Sequence, residues 1–290
     1  MKNNLGIFYA YWQKDWMTDF AECARRAAEL GFDEIQYELD SVLTAGGGQQ
    51  EELKETIDEL DLEISFSMGL PAEYDISSAD SKVRRKGINY LQNSIRKAAE
   101  FDCQLIGGLL YGGWGEGLVP GLSDKSDFLQ RSIDSMKRVM ETAEVCEVNC
   151  AVEVVNRFEQ FMLNTSAEAV EYVERIDSPR LGIHLDTFHM NIEEHSFADA
   201  VETAGDKLFH FHVGENNRRP PGEGEIIPWQ EVFDALKGID YQGSIVMEPF
   251  VRDGGDIAQD IMIWRDGEDD ELDLDERAER AREFLEDLLA

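Results

Sequence analysis

Eight short apolar runs, separated by longer amphipathic stretches, recur from one end of the chain to the other, and this alternation restricts the fold more than any other feature. The runs are Leu5–Tyr11, Glu34–Tyr37, Glu63–Met68, Gln104–Leu110, Cys150–Val155, Leu181–Leu185, Leu208–Val213 and Ser244–Met247. Between them lie segments with helical periodicity, among them Trp16–Leu30, Ser81–Phe101, Lys125–Cys146 and Ala167–Ile176. Strand–helix alternation implies βαβ units and hence a parallel sheet. Eight strands and eight helices in 290 residues favour closure into a single (β/α)8 TIM barrel over residues 1–290. An open doubly wound sheet is the alternative, but no G-x-G-x-x-G follows the first run. Glycines at Gly46–Gly48 and 111–115 read as active-site loops or turns, since they lack the Lys-Ser/Thr of a phosphate-binding loop. The acidic stretch from Asp266 to Glu276 and the following Arg277–Leu289 read as a solvated loop and a closing helix.

The chemistry gathers where the runs stop. Strong metal ligands stand at or near the ends of the last four: Glu153, Asp186, His212 and Glu248. In a parallel barrel the C-terminal strand ends form the face that carries active sites. A carboxylate at the end of an apolar strand loses hydration and must pair, bind a cation or take up a proton. Taken singly, an acid in such a place is more often a helix N-cap or turn residue. Together, three carboxylates and one imidazole suit Mn²⁺, Mg²⁺ or Co²⁺ rather than a thiolate-preferring metal. His184 and His210 lie two residues before a ligand, so they share its face at greater depth. Glu159 and His189 follow their strands on the same barrel end. Arg218-Arg219, in a Gly/Pro-containing loop of a strongly acidic chain, point to hydrogen bonding with sugar oxygens, with a surface ion pair as the plain alternative.

Charge narrows the partners. With 61 acidic and 27 basic residues the net charge is −34, which repels nucleic-acid phosphates and anionic membranes. Ten Lys against seventeen Arg, with so many acids, fits a protein kept hydrated in high salt, where screening relieves self-repulsion. Hydrophobic residues at 42% supply a sizeable core. The four cysteines match no common zinc or redox spacing and are expected buried and unpaired. The early apolar run is broken at Gln13-Lys14-Asp15, unlike a signal peptide, so a cytoplasmic location is expected, and with it no glycan at Asn164.

Several motifs now acquire a common source. Gly6–Trp12, Glu153–Glu159, Leu185–Glu194, His210–Arg219, Met247–Phe250 and Trp264–Asp266 resemble, in order, those of D-tagatose 3-epimerases and D-psicose (D-allulose) 3-epimerases. The resemblance implies a xylose-isomerase-like barrel, a homodimer or homotetramer, acting on a small ketose with Mn²⁺, or Co²⁺ or Mg²⁺. It implies that Glu153, Asp186, His212 and Glu248 bind the metal and that Glu153 and Glu248 double as the acid/base pair for C3 epimerisation through a cis-enediolate. It further implies that Glu159, His189 and Arg218 hold the carbonyl end of the sugar, with Trp114 and Phe8 lining the site. Phe8 resembles the D-tagatose type, where D-psicose-type members commonly have Tyr. Gln36 stands where the family commonly has a carboxylate, and the loop 221–228 looks one residue longer than usual. Aldose–ketose or hydroxypyruvate isomerisation is the competing chemistry on such a barrel, and a non-catalytic sugar-binding protein is the competing class.

Overall fold

In the computed structural model, which describes residues 2–115, 121–265 and 274–290, the eight runs form a closed barrel in sequence order. The strands are β1 (Leu5–Phe8), β2 (Glu34–Glu38), β3 (Glu63–Leu70), β4 (Leu105–Gly113), β5 (Asn149–Glu153), β6 (Leu181–Asp186), β7 (Leu208–Val213) and β8 (Ile245–Met247). Every neighbouring pair is parallel, and β1 closes on β8 with Leu5 opposite Ile245. Burial on both faces explains why these strands read as near-continuous apolar runs rather than as alternating ones.

The helices begin where the sequence supplies caps. Asp19 accepts the Glu22 N–H at the start of helix Phe20–Glu29, and Thr165 accepts the Glu168 N–H before Ser166–Ile176. The helix Leu274–Leu289 lies across the β8–β1 seam, where Leu274 O accepts from the Tyr11 hydroxyl and Arg282 Nε donates to Leu30 O. This agrees with the expected closing helix, whereas residues 266–273 of the expected acidic loop lie outside the described residues.

Several boundaries differ from the sequence reading, two of them within buried apolar segments. The first run leaves the sheet at Phe8, and Tyr9–Trp12 form a 3-10 turn that is buried on all sides. A buried turn and a buried strand carry the same unbroken apolar signal. Likewise β5 ends at Glu153, so Val154 and Val155 are buried outside the strand. Three short helices, Leu39–Thr44, Thr187–Glu193 and Gly255–Asp260, follow β2, β6 and β8, and each is too brief for a periodicity to announce it. The glycines of 46–48 open the helix Gly47–Leu60, and those at 112–113 belong to β4.

The barrel interior departs from the usual packing of branched aliphatic layers. Glu34, Gln36, Ser65, His184, His210 and His212 are all buried, and most stand on adjacent strands in register, Gln36 beside Ser65 and His184 beside His210. Below the strand ends, therefore, lies a column of polar groups, several of which bond one another, while both ring nitrogens of His184 have no hydrogen-bond partner among the described residues.

Candidate active site

The residues named for metal and substrate gather at one mouth of the barrel. A cavity of about 370 Å³ is lined by Phe8, Trp114, Glu153, Glu159, His189, Arg218 and Glu248, and is walled further by Trp16 and Phe250. Asp186 and His212 lie beneath it, fully buried. Oxygens of Glu153 and Asp186 and a ring nitrogen of His212 lie within 4.8 Å of one another. Glu248 joins them through Oε1, 3.5 Å from His212 Nδ1.

Asp186 shows why the cap reading and the ligand reading need not compete. Its Oδ1 accepts the Phe188 N–H at 2.8 Å, capping helix Thr187–Glu193. Its Oδ2 faces the site, 2.9 Å from Arg218 Nη1. One oxygen fixes the side chain and leaves the other for chemistry. Thr187 ties the ends of β6 and β7 together, donating to Gly214 O at 2.7 Å and accepting the Gly214 N–H at 2.9 Å.

His212 is oriented from behind. Its Nε2–H donates to Gln36 Oε1 at 2.7 Å, and Nδ1 is buried with no hydrogen-bond partner among the described residues. A buried imidazole nitrogen without a hydrogen-bond partner, beside three carboxylates, fits a divalent cation with hard oxygen and nitrogen ligands. His184, His210 and His212 form a second close group. Their rings pack edge to face at centroid distances of 4.0 to 4.8 Å, and Gln36 engages Nε2 of both His210 and His212. That trio is a packed layer beneath the carboxylates, which agrees with the expectation that His184 and His210 lie deeper.

Arg218 brings a permanent positive charge into the site. Nη1 bridges Asp186 Oδ2 and Glu248 Oε2 at 2.9 and 2.7 Å, and the guanidinium lies over Phe188 at 3.9 Å and beside Phe250 at 5.3 Å. The surface ion pair weighed for Arg218 is thus excluded, because the side chain is buried within the site. Its backbone adopts φ 64°, a left-handed conformation uncommon for a non-glycine residue. Surrounding bonds hold it there. Glu215 O accepts the Arg218 N–H at 2.9 Å, and Arg218 O accepts the Phe250 N–H at 2.8 Å. The buried Glu215 Oε1 accepts from the Gly222 N–H and the Trp229 indole, anchoring the following loop.

On the far side, Glu159 accepts from Trp114 Nε1 at 3.2 Å and Asn156 Nδ2 at 2.9 Å. His189 Nδ1 accepts the Asn156 backbone N–H at 3.2 Å, and Nε2 lies 3.4 Å from Glu153 Oε1. Burial opposes a charged His189 ring, but Glu159, Glu153 and Asp186 outweigh it and push the pKa up to about 9. With Nδ1 accepting, the neutral ring carries its proton on Nε2, directed at Glu153, and protonation of Nδ1 would cost the Asn156 N–H bond. Burial raises the Glu153 pKa. Asp186 is also buried, yet Arg218, His189 and His212 together hold its carboxyl below the ordinary value.

Among the further groups that line the cavity without having been given a role are Trp16, Glu38, Ser67 and Phe250. Glu38 stands at a strand end, a signal already used for the ligands, and caps helix Leu39–Thr44 through the Asp40 and Ser41 N–H groups. The cysteines are free as expected, although Cys146 is only partly buried. The side chain of Asn164 donates to Val155 O and Gln160 O, within its own loop.

Over residues 24–288 the chain matches the model of the xylose isomerase-like TIM barrel family. It is 39% identical over 282 residues to the D-psicose 3-epimerase of Ruminiclostridium cellulolyticum, covering 96% of this chain and 95% of that protein. It is 34% identical to the L-ribulose 3-epimerase of Mesorhizobium japonicum, with 89% of this chain and 84% of that protein covered. The crystal structure of D-psicose 3-epimerase with D-tagatose from Clostridium cellulolyticum H10 superposes with a TM-score of 0.93 at 38% identity, over 99% of each chain. The chain therefore belongs to the ketose 3-epimerase family of xylose isomerase-like TIM barrels, whose members are carbohydrate epimerases. Among the described residues no helix is long and apolar enough to cross a membrane.

Proposed function

We propose that residues 1–290 work as one catalytic barrel that epimerises a free ketose at C3, of the D-fructose/D-psicose or D-tagatose/D-sorbose type. The observation that carries this reading is the convergence of Glu153, Asp186, His212 and Glu248 beside a cavity flanked by Arg218, His189 and Glu159. Those four residues would hold the divalent ion, Mn²⁺ first with Co²⁺ or Mg²⁺ as substitutes. When bound, the ion supplies Lewis-acid stabilisation of the negative charge that builds on the sugar oxygens as C3 loses its proton.

The protein's own groups do the rest. Epimerisation requires a proton to leave one face of C3 and another to arrive on the opposite face of the cis-enediolate. Glu153 on β5 and Glu248 just after β8 both line the cavity and take these parts, exchanging them when the reaction reverses. Burial keeps the Glu153 carboxyl readier to hold a proton than an exposed glutamate. Arg218 and His189 Nε2–H present donors to the carbonyl end, Glu159 accepts from a hydroxyl, and Trp114 and Phe8 exclude water. The family resemblance also favours a homodimer or homotetramer, and a cytoplasmic location belongs to the same reading.

Incubating D-fructose with the metal-loaded protein tests the reaction. D-psicose is the expected product, and glucose or mannose as the main product would replace epimerisation by aldose–ketose isomerisation. Glu153→Gln and Glu248→Gln are each expected to lower turnover by about 100- to 10,000-fold. A near-normal kcat in either variant contradicts the acid/base assignment.

A further inference from the structure

The buried polar column beneath the site ends in a hydrogen-bond chain whose direction is set at every link. Glu34, on β2, is a buried carboxyl group whose Oε1 meets the Ser65 hydroxyl. Ser65 donates its hydroxyl proton to Glu34 Oε1, so its oxygen is left to accept. Gln36 Nε2 donates to that oxygen at 3.1 Å and also approaches His210 Nε2 at 2.9 Å. With its NH₂ group so placed, Gln36 must turn Oε1 the other way, and Oε1 lies 2.7 Å from His212 Nε2. An acceptor there requires a proton on Nε2 of His212. A neutral imidazole with its proton on Nε2 has its lone pair on Nδ1, the unpartnered atom that faces Glu248 and the carboxylate cluster. On the other side, a donor at His210 Nε2 requires the proton of neutral His210 to sit on Nδ1.

We infer that Gln36 is a positioning residue that holds His212 in the Nε2–H tautomer, and that Glu34 and Ser65 fix the orientation of the Gln36 amide. The amide accepts from one histidine while donating to another, which a carboxylate cannot do. It thereby sets opposite tautomers in two rings whose centroids are 4.8 Å apart. Groups that fix the tautomer of a metal-binding histidine typically change metal affinity by about 10- to 100-fold when removed. The inference rests on the metal-site reading for its consequence, but the tautomers themselves can be observed without metal.

Long-range ¹H–¹⁵N correlation spectra of histidine-labelled, metal-free protein read the tautomers directly, on the alkaline side of the histidine titrations where the rings are neutral. The chain has five histidines, which keeps the spectrum assignable. The expected result is His212 protonated on Nε2 and His210 on Nδ1. His212 protonated on Nδ1 overturns the inference, even if metal binding and activity are intact. Calorimetric titration with Mn²⁺ supplies the second arm. Gln36→Met removes the acceptor at similar volume and is expected to weaken binding by about 10- to 100-fold. Gln36→Glu restores an acceptor for His212 and is expected to bind at least as tightly as wild type. Wild-type affinity in Gln36→Met, or binding by Gln36→Glu as weak as by Gln36→Met, refutes the positioning role. If Gln36→Met does not fold, the wild-type spectrum decides alone. If wild type binds no divalent ion, the metal reading fails while the tautomer assignment is still judged by the spectrum.

Discussion

Replacing Arg218 by methionine removes the guanidinium that bridges Asp186 and Glu248 while keeping much of the stem that packs on Phe188. Two buried carboxylates then lose their shared counter-charge. Breaking a buried pair from one side costs about 3–5 kcal/mol, chiefly because the remaining charge is left uncompensated. For a chain of 290 residues the unfolding entropy is about 0.6 kcal/mol per kelvin, so the melting temperature of the metal-free protein should fall by about 5–8 °C at about pH 8. The pH dependence separates lost charge from lost packing. Arg218 is the leading favourable charge holding the Asp186 carboxyl below its ordinary value of about 3.9. A carboxylate depressed in the folded state contributes stability above its unfolded pKa and loses it as pH falls through the folded one. Wild type should therefore lead the variant at neutral pH, and the gap should narrow below about pH 4, as carboxylates in both proteins take up protons. Differential scanning calorimetry of chelator-treated protein across this range is the assay. A loss below about 1 °C at neutral pH, or a gap that is the same in acid, would refute the argument. Mn²⁺ should stabilise the variant more than wild type, because it restores positive charge to the same carboxylates.

Trp114→Phe keeps an aromatic wall but removes the indole N–H that donates to Glu159 Oε2. A hydrogen bond to a charged group contributes about 1.5–3 kcal/mol, so KM for the ketose should rise roughly tenfold or more, with a smaller change in kcat. An unchanged KM would show that this bond does not orient Glu159 for substrate. The net charge of −34 makes self-repulsion a standing cost that salt relieves, since the screening length drops from about 10 Å at 0.1 M to about 3 Å at 1 M. The melting temperature and activity should therefore rise toward molar salt, and equal values in dilute buffer would remove the case for a high-salt habitat.

The barrel, its strand order and the face that bears the chemistry were legible in the sequence because each depends on a local, repeating signal. Apolar runs mark strands buried on both sides, and an acid that interrupts such a run is costly wherever the chain folds. Hence Glu153, Asp186, His212 and Glu248 could be named from their places at the ends of β5 to β8. Boundaries inside buried segments were not legible. The 3-10 turn at Tyr9–Trp12 is as apolar as the strand before it. The role of Arg218 was also hidden, because Asp186 and Glu248, 32 and 30 positions away, decide whether it is a surface pair or a buried bridge. Gln36 shows the limit most sharply. In the sequence it is a polar residue in an apolar strand. Only closure of the barrel brings β2 to within hydrogen-bond reach of β7, 174 and 176 positions along the chain, and so gives one amide the task of orienting two histidines. The chain's local pattern specifies which groups face inward. Which of them satisfy one another is settled only when the last strand pairs with the first.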